Sequence, residues 1–256
     1  MSAEYFSAGS SDYARYRPRY PEDWFDWLAA QCAERSLAWD CACGSGQATE
    51  ELARRFEKVI ATDASAAQLQ NAPLLPNVEW RLASGEASGL GAGRVDLVTV
   101  AQALHWLDLP RFLQECYRVL KPEGIIAVWG YGIASLSHPS ANQIFQDFYH
   151  GVVGEYWPKE RRMVEEGYAG IDFPFQEIPV SAFEMVQSWD VEHLAGYCSS
   201  WSATDRYRKA TGHDPIPELR AKLTRELGSA PTEIRWPFFA RVGRMFHVEQ
   251  NAEEEN

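Results

Sequence analysis

The stretch Trp39-Asp40-Cys41-Ala42-Cys43-Gly44-Ser45-Gly46 constrains this chain more than any other segment, because it closes an apolar run and opens a helix-like pattern through two glycines. The next apolar run, Val59-Ile60-Ala61-Thr62, ends on Asp63. Strand, glycine turn, helix and a second strand ending in an acid make up the first βαβ unit of a doubly wound sheet. In such a unit the glycines let the backbone approach a nucleoside, and the acid accepts hydrogen bonds from ribose hydroxyls.

The alternation continues downstream. Strands are expected at 38–41, 59–62, 78–82, 95–100 and 125–129, with helices from Gly46 to about Phe56 and from Asp108 to about Leu120. Ser65 stands at an N-cap position for the helix after the second strand, and Asp108-Leu109-Pro110 supplies a cap with an early helical proline. Upstream, Trp24, Trp27 and Leu28 lie at helical spacing and read as a core stripe. After the fifth strand the regularity loosens. Residues 141–156 and 159–168 read as two aromatic-rich helices able to form a lid, 177–188 as a strand, 191–210 and 216–227 as helices, and 233–242 as a closing strand.

Composition removes several classes of function. The 256 residues carry a formal net charge of −12, and no long basic run offers the phosphate attraction that nucleic-acid binding needs. No stretch approaches the ~18 uninterrupted apolar residues of a membrane span. The first twenty residues lack the basic start and apolar core of an export signal. The expectation is a soluble, cytoplasmic protein with neither nucleic acid nor membrane as partner, ending in an acidic, mobile tail at 248–256. Five cysteines are present, and Cys41-x-Cys43 has no second Cys/His cluster at zinc spacing, so free thiols are expected and no metal.

The glycine loop also discriminates between cofactors. On the dinucleotide fingerprint, Gly44 and Gly46 place Thr49 at the third glycine, which weakens a nicotinamide reading. The acid-x-Gly-x-Gly-x-Gly loop of S-adenosylmethionine enzymes matches at Asp40, Gly44 and Gly46, with Ala42 replacing its first glycine. Further motifs follow in order: Leu82-Ala83-Ser84-Gly85-Glu86, the run from Val95 through Gln102 to His105-Trp106, and Leu120-Lys121-Pro122-Glu123-Gly124. Together with the opening Tyr13-Ala14-Arg15-Tyr16-Arg17-Pro18-Arg19-Tyr20-Pro21 and a late Trp201-Ser202-Ala203, the chain resembles class I methyltransferases of the type 11 branch that includes trans-aconitate methyltransferase-like proteins.

The resemblance spans roughly Phe6 to Arg244. It implies an α/β fold: a doubly wound, Rossmann-like seven-stranded sheet, mostly parallel, its last strand antiparallel beside the fifth, with helical lid insertions. It also implies one domain over 1–256, with an N-terminal cap at 1–24 and a helical insertion at 134–175. Asp40 would lie near the methionine ammonium, directly or through water, Asp63 at the ribose, and Ser84 at the adenine amino group. Gly85 or Glu86 would offer a backbone N–H to the ring. Ala42, Cys43, Gly44, Gly46, Ala64, Ala101 and Gln102 complete the cofactor set, Gln102 by contact or by holding its loop.

The donor's net positive charge suits a pocket edged by acids. His105 is the candidate catalytic residue, taking a proton from a hydroxyl acceptor or orienting a carboxylate. Tyr13, Arg17, Trp106 and Trp201 are the candidate substrate contacts, the arginine through forked bonds to a carboxylate. The expected activity is methyl transfer from S-adenosylmethionine to a small molecule, with an oxygen of a small organic acid favoured over nitrogen or carbon. An NAD(P)-dependent oxidoreductase and an S-adenosylmethionine-binding protein without turnover are the rivals, and monomer and homodimer stay open.

Overall fold

The computed structural model describes residues 15–246, so Tyr13, most of the expected cap and the acidic tail lie outside the described residues. One sheet has seven strands: β1 (Leu37–Cys41), β2 (Lys58–Asp63), β3 (Val78–Leu82), β4 (Val95–Ala101), β5 (Leu120–Tyr131), β7 (Gln176–Ile178) and β10 (Phe238–Arg244). Their order is β3-β2-β1-β4-β5-β10-β7. The first five strands run parallel, and β10 is antiparallel to both β5 and β7. This is the expected Rossmann-like sheet, with the last strand inserted beside the fifth. β4 is buried along almost its whole length, as a central parallel strand covered on both faces must be.

Helices α1 (Glu22–Ala30) and α2 (Gln47–Ala53) cover one face, and α4 (Leu109–Val119) covers the other. Trp24 and Leu28 are buried, and Trp24 packs edge-on to Trp129 of β5 at 5.4 Å, so the sequence stripe is core. Asp108 caps α4 by accepting from the Arg111 N–H at 3.4 Å. Ser65 precedes the short helix α3 (Ala66–Leu69) but makes no side-chain cap bond. Instead the Ser65 backbone N–H donates to Asp63 Oδ1 at 2.8 Å.

The second half departs from the sequence expectation in five places. The strand expected at 177–188 is two: β7, at the edge of the main sheet, and β8 (Met185–Trp189). The closing strand is also two, β9 (Thr232–Trp236) and β10, because Pro237 between them has no N–H to continue a ladder. β8 and β9 join β6 (Ser135–Leu136) in a separate three-stranded sheet, ordered β6-β9-β8. The helix expected at 141–156 stops early: α5 (Pro139–Asp147) gives way to a wider turn at Phe148–Val152 and a tight one at Gly154–Tyr156. Its neighbour is only α6 (Arg161–Glu165).

The helix expected at 191–210 breaks into α7 (Val191–Ser199) and α8 (Ser202–Thr211), because Trp201 takes an extended backbone with ψ 140°. That turn buries the indole to 3% exposure among Phe145, Tyr149, Trp157 and Tyr197. The residues after β5, closed by α9 (Ile216–Leu227), thus form a helical lobe with its own aromatic core. Among the described residues no helix is long and apolar enough to cross a membrane.

Candidate active site

The carboxyl ends of β1, β2 and β4 open on a cavity of about 300 Å³, at the low end of the roughly 300–1,000 Å³ typical of ligand clefts. This is where an open α/β sheet places its ligand, outside the strand ends. The structure brings together at its lining Asp40, Ala42, Cys43, Gly44, Asp63, Ala64, Ser84, Gly85, Glu86, Ala101, Gln102 and Trp106.

Gly46 is not in the lining. It shapes the loop instead, at φ 98°, donating its N–H to Cys43 O at 3.0 Å. A Cβ at Gly46 would come within 2.5 Å of Trp80, so the position needs glycine for its φ and for its space. At Gly85 a Cβ would meet Cys41 Sγ at 2.8 Å and Leu107 at 3.1 Å, so the loop packs against its neighbours too closely for a side chain there. Ala42 holds φ 54°, the left-handed conformation that a glycine takes without strain.

Asp63 organises the loop as well as facing the cavity. Its Oδ2 accepts the Gly44 N–H at 2.9 Å while Oδ1 accepts that of Ser65. Burial raises its pKa, and those two N–H donors work against the rise. Asp40 is fully buried and accepts hydroxyl bonds from Thr49 at 2.6 Å and Thr99 at 2.9 Å. Burial pushes it up to about 6, against the two threonines, with the negative charge of Asp63 adding to the rise. Among the described lining residues three are acidic and none is lysine or arginine. The cavity therefore holds concentrated negative potential, which a bound cation relieves.

Gln102 lines the cavity and also holds its loop. At φ 54°, its amide donates to Tyr131 O at 3.2 Å and accepts the Tyr131 N–H at 2.8 Å, clamping the end of β5. Gly130 makes room for this, since a Cβ there would fall 2.4 Å from Gln102 Oε1. Glu86 spends one carboxyl oxygen on the Asp108 N–H at 2.9 Å, tying the loop after β3 to the start of α4.

His105 is not brought into this cavity. It is buried in the turn Leu104–Trp106, with Nδ1 3.2 Å from the Tyr168 hydroxyl, and its ring lies against Trp106 at 4.8 Å. The Leu104 and His105 backbone N–H groups also point at that hydroxyl oxygen. The ring tautomer decides which of Nδ1 and the hydroxyl donates in this bond. Burial, and secondarily the charge of Arg161, push the imidazole down to about 3, so it is neutral near pH 7. Trp201 is likewise absent from the lining and belongs to the core of the lobe.

Arg17 stands one residue away from the cavity. Its Nη1 donates to Tyr131 Oη at 3.4 Å and its Nη2 to Ser200 O at 3.0 Å, and Tyr131 lines the cavity. Arg15 and Arg19 are exposed. The sequence reading missed Tyr20, Gln68 and Tyr131 as lining residues. Tyr20 lies in the quoted opening motif and was open to discovery there. Gln68 and Tyr131 carry no local signal, since only the fold carries them to the sheet edge.

A Rossmann-like sheet with an acid-edged cavity at its switch of strand order defines a nucleoside-binding α/β protein. Comparison with known proteins narrows this class. A family model described as a methyltransferase domain matches residues 39–128. A methyltransferase-like protein of Dictyostelium discoideum is 35% identical over 221 residues, covering 85% of this chain and 84% of its own. An uncharacterised methyltransferase of Schizosaccharomyces pombe is 29% identical over 236 residues, 88% and 90% of the two chains. A solved type II methyltransferase-like protein of Anaeromyxobacter dehalogenans superposes with a TM-score of 0.83 at 38% identity, covering 91% of this chain and all of that one. The chain belongs to the class I S-adenosylmethionine-dependent methyltransferases, and S-adenosylmethionine is its methyl donor.

The cavity fits that donor. Acids with no lysine or arginine beside them in the described lining suit a sulfonium and an ammonium, and Gly44 and Gly85 present backbone in that lining.

Proposed function

We propose that this enzyme methylates an oxygen, carboxylate or hydroxyl, of a small organic acid, as the resemblance to the trans-aconitate branch implies. In this reading Asp63 takes the ribose hydroxyls, and Ser84 with the backbone at Gly85 and Glu86 reads the adenine. Asp40, its two oxygens already engaged by threonines, acts as a buried negative charge under the methionine ammonium. Ala42, Cys43, Gly44, Ala64 and Ala101 shape the walls, while Gly46 and Gln102 fix the loops that carry them. Bound S-adenosylmethionine supplies a methyl on a sulfonium, an excellent leaving group, so the protein's task is alignment. Orientation and avoided solvent reorganisation contribute roughly 7–11 kcal/mol in well-placed pairs.

The observation that carries the acid reading is Arg17. Of the three arginines in the opening motif it alone turns inward, bonded to Tyr131 at the cavity wall. Its guanidinium would hold a carboxylate at the Tyr131 wall through charge-assisted bonds. A carboxylate acceptor has no proton to lose, which agrees with a His105 that is neutral and bonded to Tyr168. His105 then acts at most as a hydrogen-bond donor, not as a base. Tyr13 and Trp201 are left out of the acceptor contacts, one being undescribed and the other core.

Incubating the protein with S-adenosylmethionine and a panel of small carboxylic acids, phenols and amines tests the reading. S-Adenosylhomocysteine release together with a methyl ester or ether is the expected result. Release with amines alone would refute the oxygen assignment.

A further inference from the structure

The cavity is divided in its chemistry along the strand order. Its acids, Asp40, Asp63 and Glu86, come from the ends of β1, β2 and β3, whereas its aromatic side chains, Tyr20, Trp106 and Tyr131, gather at the ends of β4 and β5. Tyr20 reaches this wall from the opening segment. Its ring stands edge-on to Trp129 of β5 at 5.7 Å and lies tilted against that of Tyr131 at 6.1 Å. Tyr131 closes β5, is only 3% exposed, and has its backbone clamped by the Gln102 amide. Arg17 donates to its hydroxyl at 3.4 Å, which fixes that cation at the tip of the side chain.

An aromatic face attracts a cation within about 6 Å of its centroid, most strongly where water is excluded. The charge on the donor is not constant through the reaction. When the methyl passes to the acceptor, the S–C bonding pair stays on sulfur, and the sulfonium becomes a neutral thioether. Adenine, ribose, ammonium and carboxylate are unaltered, so only contacts at the sulfur can tell donor from spent product. With adenine at the loop after β3 and ribose at Asp63, the sulfur lies beyond the ribose, toward the side where the aromatic rings stand.

We propose that Tyr20 and Tyr131 hold the donor's sulfonium through their rings, and so set the site's discrimination between S-adenosylmethionine and S-adenosylhomocysteine. This rests on the donor placement above, with ribose at Asp63. The contact is lost with the methyl, which loosens the hold on the product once transfer is complete. Asp40 and Asp63 favour any cation in the cavity, so the part played by the rings is isolated only by changes that leave both acids in place.

The test measures Kd by calorimetry for S-adenosylmethionine, S-adenosylhomocysteine and sinefungin, whose amine carries positive charge where the sulfonium stood. The proteins are the wild type, Leu and Phe variants at Tyr20 and Tyr131, and Asp63→Ala. Tyr20→Leu and Tyr131→Leu should each lower the ratio of the S-adenosylhomocysteine Kd to the S-adenosylmethionine Kd about three- to tenfold, with sinefungin following the donor. Tyr20→Phe and Tyr131→Phe keep a ring and should hold the ratio within twofold of the wild type. A role in packing alone would weaken charged and neutral ligands alike and leave the ratio unmoved.

S-Adenosylhomocysteine, neutral at sulfur, reports whether each variant is folded. Tyr20 is half-buried and decides the matter alone should Tyr131→Leu fail to fold. An unaltered ratio in a Leu variant that still binds S-adenosylhomocysteine overturns the proposal. If Asp63→Ala weakens both ligands in that case, the donor placement stands without it. If Asp63→Ala weakens neither, both fall.

Discussion

Around the glycine loop, charge is negative and held mostly from within the first βαβ unit, Asp63 by the N–H groups of Gly44 and Ser65, and Asp40 by the hydroxyl of Thr49 together with that of Thr99 from β4. Across the lobe, charge is positive and held by aromatic rings from distant elements, Arg161 by Tyr149 and Trp157 and Arg17 by Tyr131 and Tyr197. The proposed donor half is thus centred on one βαβ unit, with further wall from the ends of β3 and β4. The proposed acceptor half is assembled only when the opening segment, the turn after β4 and the insertion meet. The two halves should fail separately, and mutations can show whether they do.

The largest effect is expected at Asp63. Asp63→Ala removes the proposed ribose acceptor and frees two loop N–H groups, each charge-assisted bond being worth about 1.5–3 kcal/mol. S-Adenosylhomocysteine affinity, read by calorimetry, should fall about 100-fold or more. A change under threefold would take Asp63 out of the donor site. Arg17→Ala addresses the other half, where the acceptor KM should rise about 10–100-fold while the donor Kd stays within a factor of two. Equal losses for donor and acceptor would mean that the halves are one coupled unit.

That division also explains how much the sequence could reveal. Strand β3 and helix α9 were readable to the residue, and the β1 loop with Asp63 placed the cavity, because short-range pattern and glycine chemistry decide them. Thr49 was legible only as a missing glycine, and its bond to Asp40 needed the folded helix. In the lobe the pattern misled. Trp201 lies inside a run that reads as one continuous helix, yet the helix breaks there, because tertiary packing of its indole outweighs local helix propensity. The third sheet strand of the lobe, β6, is two residues long and has no periodicity to detect. His105 was correctly placed on the turn after β4, but its direction depends on Tyr168, far along the chain.

Acidification should separate the halves more gently. Asp40 has a folded pKa of about 6, above the ordinary carboxylate range. The fold thus favours its protonated form, and that contribution to apoprotein stability is present at low pH and lost as pH rises through about 6. A bound cation favours the ionised form, so donor affinity should move the opposite way. Between pH 7.5 and 5 the Kd for S-adenosylmethionine should weaken about tenfold, with proton release on binding near pH 6 visible in buffers of different ionisation enthalpy. A flat Kd would uncouple Asp40 from the ligand. His105, held at about 3, should add no inflection to kcat between pH 5 and 8.

The smallest effect probes strain, which each half carries on a non-glycine residue. Ala42 sits at φ 54° beside the donor, and Tyr168 at φ 58° in the lobe. The left-handed region costs an ordinary residue roughly 1–2 kcal/mol. At Tyr168 the ring is buried and bonded to His105, so the strain is inseparable from the contact it secures. At Ala42 the side chain is one methyl in a loop whose neighbours at Gly44 and Gly46 are already left-handed. Ala42→Gly should therefore relieve strain, offset in part by the greater freedom of glycine in the unfolded chain. A net gain of up to about 1 kcal/mol would raise Tm by about 2–4 °C for a chain of this size, with donor affinity within twofold. A lowered Tm would show that the methyl packs well enough to outweigh its backbone cost, and that the loop of this enzyme is adapted to alanine rather than merely tolerant of it.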